Sequence, residues 1–159
     1  MDLDLKGKTA LVTGSYRGTG LIIAQTLIEE GVTTLVHGLK APQAEKAVTE
    51  LGGGIAITAD ITTQEGCKEL VELANEHSLD IIVNNYGTAD PNSWKEGDSG
   101  PWFGAYEKNV LSAQRITQGL LPALLKKKWG RVINLGTTGS TKPSRKNPAY
   151  YSAKGALVA

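Results

Sequence analysis

The sequence predicts an α/β chain in which helices cover both faces of a doubly wound, parallel sheet. Three observations carry this. Short β-branched runs alternate with longer segments of helical period along most of the chain, the signature of βαβ units. A glycine-rich turn from Thr13 to Gly20 separates the first such run from the first helical segment. Two later runs, Ile81-Ile82-Val83 and Val132-Ile133-Asn134-Leu135, are almost continuously apolar, as expected of strands covered on both faces.

The elements follow in order. Thr9-Ala10-Leu11-Val12 is the first strand, and Leu21 to Glu30 the first helix, with Gly31 placed to end it. Thr34-Leu35-Val36-His37 is the second strand; Pro42 opens a second helix that three glycines stop after Leu51. Ile55-Ala56-Ile57-Thr58 is the third strand. Thr62 and Glu65 have capping-box spacing at the start of a third helix that ends near Glu76. Ile81 opens the fourth strand and Val132 the fifth. Between them lie a polar loop, Thr88 to Pro101, and a long helix with Val110, Ala113, Ile116, Leu120 and Leu124 on one face. Pro122 is expected to bend that helix near its end. A further helix starts at Ala149, and the sequence stops ten residues later. With strand order 3-2-1-4-5-6, the fifth strand is left as a bare edge. The expectation is therefore five strands present and the C-terminal strands missing, in one incomplete domain spanning residues 1–159.

Composition narrows the function classes. The 159 residues suffice for one domain and not for two ordinary ones. Apolar residues make up 40% and charged residues 21%, a globular balance. A formal net charge of +1 gives no bulk electrostatic case for nucleic acid or an anionic membrane. The dense basic run Lys126-Lys127-Lys128 is read as complementing a helix C-terminus. No apolar stretch approaches the roughly 20 residues of a membrane span, and the acidic N-terminus lacks a signal-peptide core. The single cysteine, Cys67, is read as an idle thiol, no metal ligand set is expected, and the cytoplasm is the default compartment.

The chemistry starts at the glycine loop. Thr13-Gly14-Ser15-Tyr16-Arg17-Gly18-Thr19-Gly20 joins a strand to a helix. Glycines there permit a tight turn and let backbone approach a pyrophosphate, which the helix N-terminus attracts. Its spacing is TGxxxGxG, and with it the chain resembles the short-chain dehydrogenase/reductase family, whose motifs then recur in order. Asp60-Ile61-Thr62 looks like the family's adenine-contacting segment. Asn84-Asn85-Tyr86-Gly87 is similar to NNAG, with tyrosine in place of alanine. Asn109 fits the catalytic asparagine, and Tyr150 with Lys154 the YxxxK pair.

The resemblance implies a Rossmann-like fold and a nicotinamide cofactor held by Gly14, Ser15, Tyr16, Arg17, Gly18, Gly20, Lys40, Asp60, Ile61, Asn85, Gly87, Tyr150 and Lys154. NAD sites place an acid about 20 residues beyond the glycine loop. Here that region reads His37-Gly38-Leu39-Lys40, without one. Lys40 and Arg17 could face a 2′-phosphate instead, so NADP(H) is expected over NAD(H).

A tyrosine titrates near pH 10, so acid–base work near neutrality needs help. A lysine at i+4 shares its helical face, and an ammonium there favours phenolate. Tyr150 and Lys154 meet that spacing; Tyr151, at i−3 from Lys154, is not excluded by geometry alone, and the family pattern selects Tyr150. The resemblance places Thr137 at the usual serine position, a departure whose extra methyl crowds the site; Thr138 and Ser140 are reserves. By the same resemblance Lys154 holds ribose hydroxyls and Asn109 supports a proton relay. Tyr86 is read as a packing substitution.

Two functions remain in view. One is an NADP(H)-dependent oxidoreductase interconverting a ketone and a secondary alcohol, acting on a small carbonyl or alcohol and assembled as a homodimer or homotetramer, which the family resemblance implies. The other is a truncated dinucleotide-binding or interaction module without turnover.

Overall fold

The computed structural model describes residues 3–95 and 98–159. Five strands, β1 (Thr9–Val12), β2 (Thr33–Gly38), β3 (Ile55–Thr58), β4 (Ile81–Asn84) and β5 (Arg131–Asn134), form one sheet in the order β3-β2-β1-β4-β5. Every pairing is parallel, with Leu11 opposite both Leu35 and Ile82. This is the doubly wound, Rossmann-like arrangement expected, with the chain reversing direction outward from β1.

Alternation along the strands divides the core between two helical layers. Leu11, Leu35 and Ile82 pack with Leu70 of α3 (Gln64–Asn75) and Ile116, Leu120 and Leu124 of α5 (Ser112–Lys127). Ala10, Val12, Ile81 and Val83 face the other way, towards Ile23 and Leu27 of α1 (Gly18–Glu29). Val36 meets Ala24 of α1 and Ala47 of α2 (Ala41–Leu51). Gly119 lets α5 lie close on α3, since a Cβ there would come within 2.7 Å of Val71 Cγ2. The short helix α4 (Gly100–Tyr106) packs on α6 (Pro148–Val158) through Ala105, Ala149 and Ala153.

Several local expectations are corrected. The cap of α3 is Thr63, whose Oγ1 accepts the Gly66 N–H at 3.0 Å. Thr62 is already engaged, its hydroxyl donating to Asp60 Oδ1 at 2.6 Å. The helix after the polar loop is not continuous: a π-helical segment, Glu107–Leu111, divides α4 from α5. β5 is not covered on both faces; Val132 and Ile133 are 39% and 48% exposed, because β5 is the sheet edge. Lys126 and Lys127 lie in the last turn of α5, and Lys127 ties that turn to the segment before β4, donating to Leu79 O at 3.0 Å and Asp80 Oδ1 at 2.9 Å. Among the described residues, no helix is long and apolar enough to cross a membrane, and no group of side chains is arranged to hold a metal ion.

Candidate active site

The glycine loop lies at the carboxyl end of β1, where ligands bind in open α/β sheets. Gly14 and Gly18 have φ of 63° and 57°, a region that disfavours side chains. Gly20 has a different reason to be glycine: a Cβ there would come within 2.7 Å of Gly14 O and 2.9 Å of Ser15 Cα. The loop is held from below. Ser15 is fully buried, and its Oγ donates to Val12 O at 2.7 Å.

β4 is tied to the same loop. Thr13 Oγ1 accepts the N–H groups of Asn85, at 3.1 Å, and Tyr86, at 3.0 Å. The Asn85 amide donates to Thr13 O at 2.8 Å and Gly14 O at 3.3 Å. Asn85 thus joins two turns. The Tyr86 ring rests against Gly14, where an added Cβ would lie 3.2 Å from Tyr86 Cδ2. Burial pushes the Tyr86 phenol up to about 12, with Asp60 and Tyr16 adding to the effect.

Between these turns opens a cleft of about 340 Å³ at the N-terminus of α1. Gly14, Tyr16, Arg17, Gly18, Gly20, Asn85, Gly87 and Thr88 line it, together with Thr19, Tyr86 and Leu39. The Arg17 guanidinium sits 5.1 Å from the Tyr16 ring centroid. Ser15, Lys40, Ile61 and Asp60 are not among these lining residues. Ser15 lies under the loop, buried. Lys40 is exposed at the start of α2, and Leu39 takes the wall beside it because β2 ends at Gly38 and turns Lys40 outward. Ile61 puts its side chain into the α3/α5 core and its N–H towards Ala59 O. Asp60 is exposed, its Oδ1 accepting from the Thr62 N–H and hydroxyl.

A second group gathers where α6 meets the end of β4. Asn109 is fully buried in the π-helical segment; its amide donates to Ala105 O at 2.9 Å and Thr88 O at 3.0 Å, and its Oδ1 accepts the Thr88 N–H at 3.1 Å. Lys154 is 3% exposed, and Nζ donates to Leu135 O at 2.7 Å. Burial lowers its pKa. Gly87 lies between them, since a Cβ there would stand 2.6 Å from Asn109 Oδ1 and 3.2 Å from Lys154 Nζ.

Tyr150 is half-buried. Burial raises its pKa, with Tyr151 adding to the rise and the nearby Thr137 hydroxyl opposing it. The expected depression of the phenol by Lys154 is therefore not what this arrangement shows; the ammonium is turned to Leu135. Tyr151 stands edge-on to Tyr150, with ring centroids 5.2 Å apart, and covers Gly139. Ser140 Oγ is buried without a partner among the described residues, as is Thr88 Oγ1. Two features here carry no signal in the sequence: the π-helical setting of Asn109 and the contact of the His37 ring with the glycine loop.

Known proteins resemble this chain in sequence and overall fold. A model of the short chain dehydrogenase family matches residues 8–159. An uncharacterized oxidoreductase of Bacillus subtilis, YvaG, is 37% identical over 96% of this chain and 59% of its own length. The L-sorbose reductase of Gluconobacter frateurii, solved with NADPH and L-sorbose, superposes with a TM-score of 0.93 at 29% identity, over 99% of this chain and 62% of that one. A 7α-hydroxysteroid dehydrogenase solved with NADH and 7-oxo glycochenodeoxycholic acid gives a TM-score of 0.89 at 30% identity, over 96% and 62% of the two chains. The chain thus spans about 60% of the length of these relatives. With the family match running from Lys8 to the last residue, the chain belongs to the short chain dehydrogenase family.

Proposed function

We propose that this chain is the cofactor-binding and catalytic-tyrosine portion of an NADP(H)-dependent oxidoreductase that interconverts a ketone and a secondary alcohol. The observation that carries the reading is the cleft over Gly14, Gly18 and Gly20, joined through Gly87 to buried Asn109 and Lys154. The cleft fits a dinucleotide: Gly18 on its wall has open space where a Cβ would stand, the N-terminus of α1 favours an anion, and Thr88, whose Oγ1 is buried without a partner among the described residues, lines it. Gly14 to Gly20 would hold the pyrophosphate, Asp60 the adenine side, and Lys154 the ribose beside the nicotinamide.

When bound, the nicotinamide supplies or accepts the hydride. The chain's own residues handle the proton. The Tyr150 phenol is the donor to oxygen in reduction and the acceptor in oxidation. Thr137, whose hydroxyl lies near enough to that phenol to influence its titration, would orient it and help hold the substrate oxygen. Asn109 fixes the Thr88 backbone and the π-helical turn that face Lys154. Lys154, with three donors of which one reaches Leu135 O, has capacity left for ribose hydroxyls.

NADP(H) over NAD(H) rests on Arg17 in the cleft wall and on Gly38-Leu39 where an acid would bind a ribose 2′-hydroxyl. The substrate is a small carbonyl or alcohol compound, and exposed Leu121, Leu125 and Val158 favour assembly as a homodimer or homotetramer. Fluorescence titration with NADPH and NADH tests the cofactor; tighter NADH binding would refute NADP(H). Tyr150→Phe should abolish carbonyl reduction while leaving NADPH binding nearly intact, and unchanged turnover would move the proton role to Tyr151.

A further inference from the structure

His37 is a fully buried, titratable side chain that the mechanism above does not use. Both ring nitrogens are engaged by backbone. Nδ1 accepts the Gly14 N–H at 2.9 Å, and Nε2 lies 3.0 Å from Ala59 O. An N–H needs an acceptor and a carbonyl needs a donor, so the two contacts together require the neutral Nε2–H tautomer. The backbone of His37 adds a third link: its N–H donates to Ser15 Oγ at 2.8 Å, and that hydroxyl passes the bond on to Val12 O.

The positions of these partners give the contacts a purpose beyond filling the core. Gly14 and Ser15 form the glycine loop. Ala59 closes β3 and precedes Asp60. The two segments belong to different strands, and β2 lies between β1 and β3 in the sheet. One imidazole therefore spans the gap at the carboxyl edge, with a loop donor on one side and the β3 terminus on the other.

We propose that His37 is a positioning residue that sets the spacing of the glycine loop and the Asp60 segment, so that together they receive the adenosine half of a dinucleotide. This rests on the dinucleotide reading above. Loss of the imidazole leaves the Gly14 N–H without its acceptor and lets the loop drift from Asp60, which weakens the adenosine half first.

The test is calorimetric titration of the whole chain with 2′,5′-ADP and with ADP, in the unsubstituted protein and in His37→Asn, His37→Gln and His37→Leu. The Asn amide oxygen can stand where Nδ1 stood, and the Gln amide nitrogen where Nε2 stood. His37→Leu, folded by circular dichroism, should bind the preferred nucleotide at least about tenfold more weakly. His37→Asn should recover most of that loss and bind more tightly than His37→Gln. Affinity in His37→Leu within about threefold of the parent would overturn the proposal. So would affinities that follow melting temperature alone, with Asn and Gln alike; that comparison decides the matter if His37→Leu does not fold. A parent that binds neither nucleotide, nor NADPH or NADH, would sink the dinucleotide reading and this inference with it, a failure visible before any substitution is made.

Discussion

Lowering the pH should destabilise this protein through one side chain. Burial holds the His37 pKa down from 6.5 to about 4, against a hydrogen bond to Ala59 and the nearby Asp60 charge, both of which raise it. The folded state therefore keeps His37 neutral where the unfolded chain has already taken up a proton. Between those two values the unfolded state binds more protons, so stability falls as pH drops through 6.5 and levels off near 4. Above 6.5 the group makes no pH-dependent contribution. The gap corresponds to about 3 kcal/mol at its full extent, a large share of the 5–15 kcal/mol typical of a domain. Urea unfolding between about pH 7.5 and about pH 4.5 measures it, with His37→Asn as the reference. The carboxylates are common to both proteins, so their contribution largely cancels, Asp60 being the one close enough to couple. The parent should lose more stability than His37→Asn by an amount approaching that figure. Equal losses in the two proteins would show that the imidazole is not held neutral and would refute the tautomer argument.

Gly20→Ala should lower stability by about 1–3 kcal/mol and weaken NADPH binding, since its Cβ meets the Gly14 carbonyl and Ser15 backbone; a urea melt and titration matching the parent would refute the close approach. Arg17→Glu should weaken NADPH by at least about tenfold with little change for NADH; equal effects on both would remove Arg17 from 2′-phosphate recognition. The raised Tyr150 phenol should keep carbonyl reduction active into the alkaline range, while alcohol oxidation climbs with pH. An oxidation rate that is flat from neutral pH upward would show that the phenol is depressed in the working enzyme.

The strand order was legible because alternation of β-branched runs with helical segments admits few topologies, and the glycine turn marks which strand is first. The π-helical segment was not. Val110 and Ala113 keep the apolar spacing that an uninterrupted helix would show, and the residue that benefits, Asn109, is polar. Two of its three bonds go to Thr88, in a loop 21 residues earlier, and one to Ala105 a turn before it. Asn85 and Ile61 were placed at the site by motif position, which fixes the backbone and leaves the side chain open. One spends its amide on Thr13 and Gly14, and the other enters the core. His37 read only as the last residue of a strand; its partners, Gly14 and Ala59, follow two other strands that a linear sequence does not bring together.

Glycine at position 87 shows how the two halves of the site depend on one another. From below it is approached by the Asn109 carboxamide and from the side by Lys154, each near enough that a Cβ would displace it. The crowding brings three elements to one point: the end of β4, the π-helical segment and α6. A buried ammonium is costly unless it is hydrogen-bonded, and its contact with Leu135 extends the group to the end of β5. The lysine and the asparagine therefore constrain the same backbone turn that, through Asn85 and Thr13, is bound to the glycine loop. Thr13 links β1 to β4, Gly87 links β4 to α6, and Tyr150 sits one helical turn before Lys154 on that helix. Displacing any member of this series moves the cleft relative to the phenol, so in the proposed function cofactor binding and proton transfer would share a common set of supports.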